Sequence, residues 1–401
     1  MISPGFPAEM AHFTHGLSQV GASVIGLGDQ PQGALPEEAR RALSAYVQVR
    51  SFADEDDLLR EVRQVAEKAR IDRVECLWEP LMLPAARMRE MLGLPGMTVE
   101  ETVPFRDKEV MKQRLDAAGI RTPRHANAFT VQQCRDAAER IGFPLIVKPI
   151  AGAGSRDTYR VDDERQLADV LPRLGHVQEV SVEEFIEGDD CTFDTVCIGD
   201  EVVYFNIAFY RPRALVGREH PWVSQQTIAR RDVDSEWCRH GRAMGFAVHR
   251  VLPVGTGFTH MEWYRKPDGE AVFGEIAARP AGVRTVDLMN FAGDIDLYRG
   301  WAEAVCWGRF SQPVERRYHC AGVFLRAQGP GTIRRIEGLD HVLGEIGHHI
   351  CALDLAPVGA TARGSGQSVV GDGYVMVRHP DLDTTLEMAD RVAAEVRILA
   401  G

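Results

Sequence analysis

The chain has 401 residues, 45% hydrophobic and 26% charged, a globular mixture that excludes wholesale disorder and collagen-like structure. Lys and Arg number 46 against 58 Asp and Glu, a formal net charge of −12, which argues against a nucleic-acid binder held by bulk positive charge. No apolar run approaches the ~20 residues of a membrane span, and at ~100–200 residues per domain the length predicts two to four domains.

Met1–Gly5 has no basic region followed by an apolar core, so no secretory leader is expected; the chain opens as if inside or just after a strand. Ala22–Leu27, Tyr46–Phe52 and Arg73–Trp78 read as strands, and Glu55–Ala69 as a helix with Leu58, Leu59, Val62, Val65 and Ala66 on one stripe. This βαβ rhythm predicts a small parallel sheet over residues 1–104. Helices are expected at Asp107–Ala118, with an acidic N-cap, and at Val131–Ile141. Strands follow at Pro144–Pro149, Tyr159–Val161, Val177–Ile186 and Thr192–Val203, and two more lie within Phe258–Arg279. Val286–Gly308 reads as one helix, the chain beyond residue 313 as β-rich, and Leu382–Leu399 as a terminal amphipathic helix. The eight cysteines are dispersed without a C-x-x-C pair, which points to reduced, buried thiols in a cytoplasmic protein rather than disulfides or zinc.

No G-x-G-x-x-G opens the first 104 residues, and G-x-x-x-x-G-K-[ST], H-E-x-x-H and G-x-S-x-G are absent, so the simplest dinucleotide, Walker-type, zinc-protease and hydrolase readings have no support. Three constellations carry chemistry. Lys148 ends an apolar strand and runs into Ala151-Gly152-Ala153-Gly154-Ser155. A lysine there is costly unless its ammonium meets an anion, and small residues let backbone amides approach a phosphate; the alternative is a strand-edge lysine beside a flexible hairpin. Val182-Glu183-Glu184-Phe185-Ile186-Glu187-Gly188 is an extended segment whose backbone could read an adenine edge, with Asp190 accepting ribose hydroxyls; an ordinary strand with solvated carboxylates is the alternative.

The third constellation is the sharpest. Asp268-Gly269 signals a two-residue hairpin turn that places Glu262 opposite Glu275 and His260 opposite Ala277, with Arg279 on the same face. Two carboxylates ~5 Å apart repel unless a cation lies between them, and such oxygens suit Mg²⁺. A three-residue loop with a bulge at Gly269 would break that register; two solvated acids are the alternative. Arg211-Pro212-Arg213 through Trp222 reads either as the border of an acceptor pocket or as a polar surface loop.

Together these residues resemble the ATP-grasp superfamily and, within it, carboxylate–amine ligases related to bacterial L-amino acid ligases. The resemblance implies an α/β and α+β, ATP-grasp fold: an N-terminal parallel βαβ domain (1–104), two ATP-clasping α+β subdomains (105–187 and 188–312) and a β-rich C-terminal domain (313–401). It implies nucleotide contacts from Lys108, Lys148, the mobile segment Gly152, Ala153, Gly154 and Ser155, the hinge Glu183, Glu184, Phe185 and Ile186, and Asp190. Glu262 and Glu275 take the place of the metal pair, Arg279 that of the arginine on the acyl phosphate or substrate carboxylate, and His260 is a further catalytic candidate beside Lys148. Many relatives have Asn as an added metal ligand where this chain has Ala277. The implied cofactors are ATP and two Mg²⁺, replaceable by Mn²⁺. The implied reaction is amide formation between a small carboxylate, such as an amino acid, and an amine, through an acyl phosphate, in a homodimer without nucleic-acid or membrane partners. The alternatives are an ATP-grasp enzyme with another acceptor (a nucleotide-biosynthesis ligase or a phosphotransferase) and a non-catalytic ATP-binding regulator.

Overall fold

Val24–Gly28 (β1) and Leu43–Gln48 (β2) form the expected parallel pair. The computed structural model describes residues 1–150, 157–220, 222–363 and 370–401; Gly152, Ala153, Gly154 and Ser155 therefore lie outside the described residues. Arg73–Trp78 is not a strand. The first residues of the chain take the place beside β1, with Ile2 opposite Leu27, and Ile2 N–H reaches Glu75 O at 2.9 Å. The helix Glu55–Lys68 is capped by Asp54 and buries Leu58 against Val49, Ala85 and Met88.

Next come His125–Ala128 (β3), Leu145–Pro149 (β4), Tyr159–Val161 (β5) and Val180–Glu184 (β6), an antiparallel sheet in the order β3-β6-β4-β5. The helices Val131–Ile141 and Glu164–Val170 cover it through Cys134, Ala137, Ala138 and Leu167, which meet Leu145, Val147 and Val182. Before this sheet runs the helix Lys108–Ala117. The Asp107 carboxylate accepts from the Glu109 and Val110 amides at 2.9 and 3.1 Å, as an N-cap should. Its buried face holds Met111, Leu115 and, unusually, Lys112.

The expected strand Thr192–Val203 is two strands, Asp189–Ile198 (β7) and Glu201–Arg211 (β8), joined at Gly199-Asp200 with φ of +54° and +71°. Both central residues are left-handed, as a two-residue turn matched to strand twist requires. With Gln225–Ala229 (β9), Gly257–Arg265 (β10), Ala271–Ala277 (β11), His319–Leu325 (β12), Ile350–Leu355 (β14) and Gly373–His379 (β15), they build an eight-stranded antiparallel sheet ordered β11-β10-β7-β8-β9-β12-β15-β14. Strands from both sides of residue 312 share this sheet, because β9 pairs with β12. Ile333–Glu337 (β13) pairs instead with Arg397–Ala400 (β16). The terminal helix is thus shorter than expected, Leu382–Glu395: its cap residue Val396 and the strand residue Ile398 turn into the core. Val286–Gly308 likewise divides into helices Thr285–Gly293 and Leu297–Trp307, where Asp294 is left-handed (φ +49°) and Asp296 caps the second.

The β10–β11 turn differs from expectation in a way that cancels. It is the three-residue loop Pro267-Asp268-Gly269: Lys266 N–H donates to Glu270 O and Gly269 N–H to Lys266 O, both at 2.9 Å, with Gly269 at φ +85°. This puts Arg265 opposite Ala271, one residue out of the expected register. Gly274 is then an extra residue in β11, between Phe273 (opposite Trp263) and Glu275 (opposite Glu262), so the bulge restores the pairing of the two acids and of His260 with Ala277. A Cβ on Gly274 would stand 2.8 Å from the Glu262 carbonyl oxygen, so the bulge requires glycine.

Candidate functional site

The cleft lies between the four-stranded and eight-stranded sheets. Lys108, Lys148, Glu183, Phe185, Ile186, Asp190, Glu262 and Glu275 all border it. Ladder geometry sets Glu262 directly across from Glu275. The Lys108 ammonium lies 2.5 Å from Glu275 Oε2, so a cation does stand at the acid pair, and here it is a lysine. Glu275 is pulled down to about 2: burial opposes its ionisation, but Lys108 and Lys148 outweigh it. Among the described residues no three His, Cys, Asp or Glu side chains converge as a metal site, and Ala277 offers no third donor. Two carboxylates suit a hard cation that completes its shell with water and phosphate oxygens, which fits Mg²⁺.

The Lys148 ammonium meets its anion within the chain, at Glu183 Oε2 (2.9 Å). Glu183 is buried, and its other oxygen takes Lys112 at 2.5 Å and the Ser181 hydroxyl at 2.8 Å. Burial raises the Glu183 pKa, yet Lys112 and Lys148 hold it well below the usual carboxylate range. The Glu183 backbone sits in the ladder between His125 and Ile146, so it is not an open peptide edge. The Glu184 and Phe185 amides donate to Arg124 O (2.8 Å) and Pro144 O (3.1 Å). Of the four hinge residues, Ile186 has the amide with no backbone partner among the described residues. The Glu184 carboxylate turns to Arg121 and Arg124. The Asp190 oxygens accept from Arg213 Nε (2.8 Å) and the Ala214 amide (3.0 Å), one donor on each oxygen. Arg213 also lies over the Phe185 ring at 4.9 Å, while Arg211 turns away to Asp390; the loop after β8 thus borders the cleft through Arg213.

His260 is buried, its Nδ1 2.6 Å from Asp194 Oδ1 and its Nε2 3.5 Å from Glu262 Oε1. Burial disfavours the imidazolium, but these two carboxylates raise its pKa to about 9. Arg279 donates through Nε to Glu79 Oε2 at 2.8 Å, and the other Glu79 oxygen meets Arg106.

A family model described as an ATP-grasp N-terminal domain matches residues 18–96, and one described as an ATP-grasp domain matches residues 105–221. Two stretches of the chain, 18–96 and 105–221, thus match ATP-grasp domains. The fold of the chain is the ATP-grasp fold: an L-amino acid ligase from Bacillus licheniformis superimposes with a TM-score of 0.79 at 20% identity, covering 98% of this chain and 96% of that one. An alanine–anticapsin ligase of Bacillus subtilis (strain 168) is 30% identical over 280 residues, 64% of this chain and 58% of the relative. An L-arginine-specific L-amino acid ligase of Bacillus subtilis is 25% identical over 218 residues, 53% of this chain and 52% of the relative. The chain spans between half and three-fifths of the length of these two ligases.

Four residues of this site escape the sequence reading. Lys112 was legible as the i+4 neighbour of Lys108 on one helix face. Asp194 was legible as the third polar residue of the alternating Asp190-Cys191-Thr192-Phe193-Asp194 run, all on one strand face. Glu79 and Arg106 carry no local signal: Glu79 is the shared partner of Arg106 and Arg279, 27 and 200 residues away along the chain.

Proposed function

We propose that this chain is an ATP-dependent carboxylate–amine ligase that forms an amide or peptide bond through an acyl phosphate, with release of ADP and phosphate. The supporting observation is the in-register Glu262–Glu275 pair in one cleft with Lys108 and Lys148, two acids and two cations where a triphosphate would lie.

In this reading Ile186 and its hinge neighbours receive the adenine, Asp190 the ribose, and Lys108 and Lys148 exchange their carboxylate partners for phosphate oxygens. Glu262 and Glu275 would hold Mg²⁺, which lowers the charge on the transferring phosphoryl group when bound; two ions are expected, with Mn²⁺ able to substitute. Arg279, held by Glu79, faces the substrate carboxylate whose oxygen attacks the γ-phosphorus, with ADP leaving. His260, fixed by Asp194, holds a proton towards the developing charge on the acyl oxygen. An amine then attacks the acyl carbon and phosphate departs, so water must be kept out until the amine is in place.

Residues 1–104, 105–187, 188–312 and 313–401 are the working divisions of this enzyme, which we place in the cytoplasm as a homodimer. No helix among the described residues is long and apolar enough to cross a membrane. Exposed Leu353 on the edge strand β14 offers apolar surface for a second copy, and sedimentation velocity tests the dimer. The activity test feeds pairs of amino acids with ATP and Mg²⁺ and reads ADP, phosphate and product mass. Amine-dependent ADP release with a condensed product is expected; AMP and pyrophosphate, or no turnover with any pair, would overturn the ligase.

A further inference from the structure

Lys112 is 2% exposed, the most deeply buried cation of the cleft wall, and its ammonium does not border the cleft. Its counter-ion is Glu183 Oε1 at 2.5 Å, while Lys148 takes Oε2 of the same carboxylate at 2.9 Å and reaches the cleft. Two ammonium groups thus share one buried carboxylate, an excess of one positive charge, and the lysine nearer the opening is the one able to leave. A buried ion pair is a poor source of stability compared with apolar side chains of similar volume, so stability is a weak reason for this arrangement. The two lysines come from different elements, the helix Lys108–Ala117 and β4, and meet at Glu183 of β6.

We propose that Lys112 is a positioning residue: it is the standing counter-charge of Glu183 that lets Lys148 transfer its ammonium from Glu183 to a nucleotide phosphate. With Lys112 present, departure of Lys148 leaves a neutral Lys112–Glu183 pair. Without it, departure would strand a buried carboxylate, so Glu183 would retain Lys148 and compete with phosphate. Burial lowers the Lys112 pKa, with Lys148 and Lys108 adding to that, and Glu183 is the one group that opposes it. The inference rests on the reading that Lys148 is a phosphate lysine.

The experiment measures ADP affinity of the full-length chain by calorimetry, in the presence of Mg²⁺, for four variants with melting temperatures checked alongside. Lys148→Ala is expected to lose most ADP affinity. Lys112→Met is expected to weaken ADP roughly tenfold, a coupling of ordinary size between two sites. The double variant Lys112→Met/Glu183→Gln removes both buried charges and is expected to recover to within about threefold of the parent, a rescue that loss of packing would not give. Glu183→Gln alone leaves the buried Lys112 ammonium without its carboxylate and is expected to lower the melting temperature, which the double variant should restore. Full ADP affinity in Lys148→Ala removes the phosphate-lysine reading itself. Weak binding in Lys148→Ala with unchanged binding in Lys112→Met overturns the inference alone, as does a double variant no better than Lys112→Met.

Discussion

Single side chains set the electrostatics of the cleft, and each has a measurable consequence. Glu275→Gln keeps the shape of the side chain but removes the charge opposite Glu262. ADP release is expected to fall ~10²–10³-fold, the usual weight of one charge-stabilising group, with the melting temperature little changed; undiminished turnover would remove Glu275 from the site. Glu79→Ala leaves Arg279 and Arg106 without their shared carboxylate, so steady-state kinetics should show a raised KM for the carboxylate substrate with a smaller change in kcat. Glu183 gives a pH signature. Its folded pKa is depressed below the ordinary 4.5, so its stabilisation is fully present above that value and drains away as pH falls from there towards the depressed folded value. Urea midpoints measured at pH 6 and again near pH 4 should therefore differ more for the parent than for Lys112→Met/Glu183→Gln.

At the scale of elements, two glycines fix where the acids and the hinge stand. Gly274 cancels the one-residue offset of the Pro267-Asp268-Gly269 loop, and a side chain there collides with the Glu262 backbone. Gly274→Val is expected to cost about 1–3 kcal/mol in denaturant unfolding, as overpacking does, and to lower turnover further than stability alone explains; normal activity would mean the bulge does not position Glu275. Gly188, at φ +152°, joins the four-stranded sheet to the eight-stranded one, and a Cβ there would strike the Arg265 carbonyl. Most elements were legible from pattern: the Asp107 cap, Val131–Ile141 and the βαβ start all have local causes. The failures also have local causes. Gly199-Asp200 is a turn signal read through as strand, and Val396 and Ile398 fit the helical stripe as well as a strand. The Glu262–Glu275 and His260–Ala277 pairs came out as expected although the turn did not, because the Gly274 bulge offsets the extra residue of the loop.

Across the whole molecule, the eight-stranded sheet joins regions that the chain keeps far apart. A chain cut after residue 312 would expose the β9 edge where β12 now pairs, and strip the helix Leu382–Glu395 from Arg211 and Gln226, both bonded to Asp390 at 3.0 Å. Such a truncation is expected to aggregate rather than fold, which soluble yield and circular dichroism would check; a stable, cooperative 1–312 fragment would contradict it. Capping, alternation and turn chemistry act over a few residues, so the βαβ start, the hairpin that carries the acid pair and the candidate lysines were legible along the chain, while the fold class came through the family resemblance those residues carry. Only the tertiary structure decided what those groups touch: Lys108 on Glu275, Lys112 and Lys148 on one Glu183, Arg279 on Glu79 and His260 on Asp194. Each joins residues distant in the chain. A buried charge takes its partner from whichever element packs against it, and spacing along the sequence does not encode that choice.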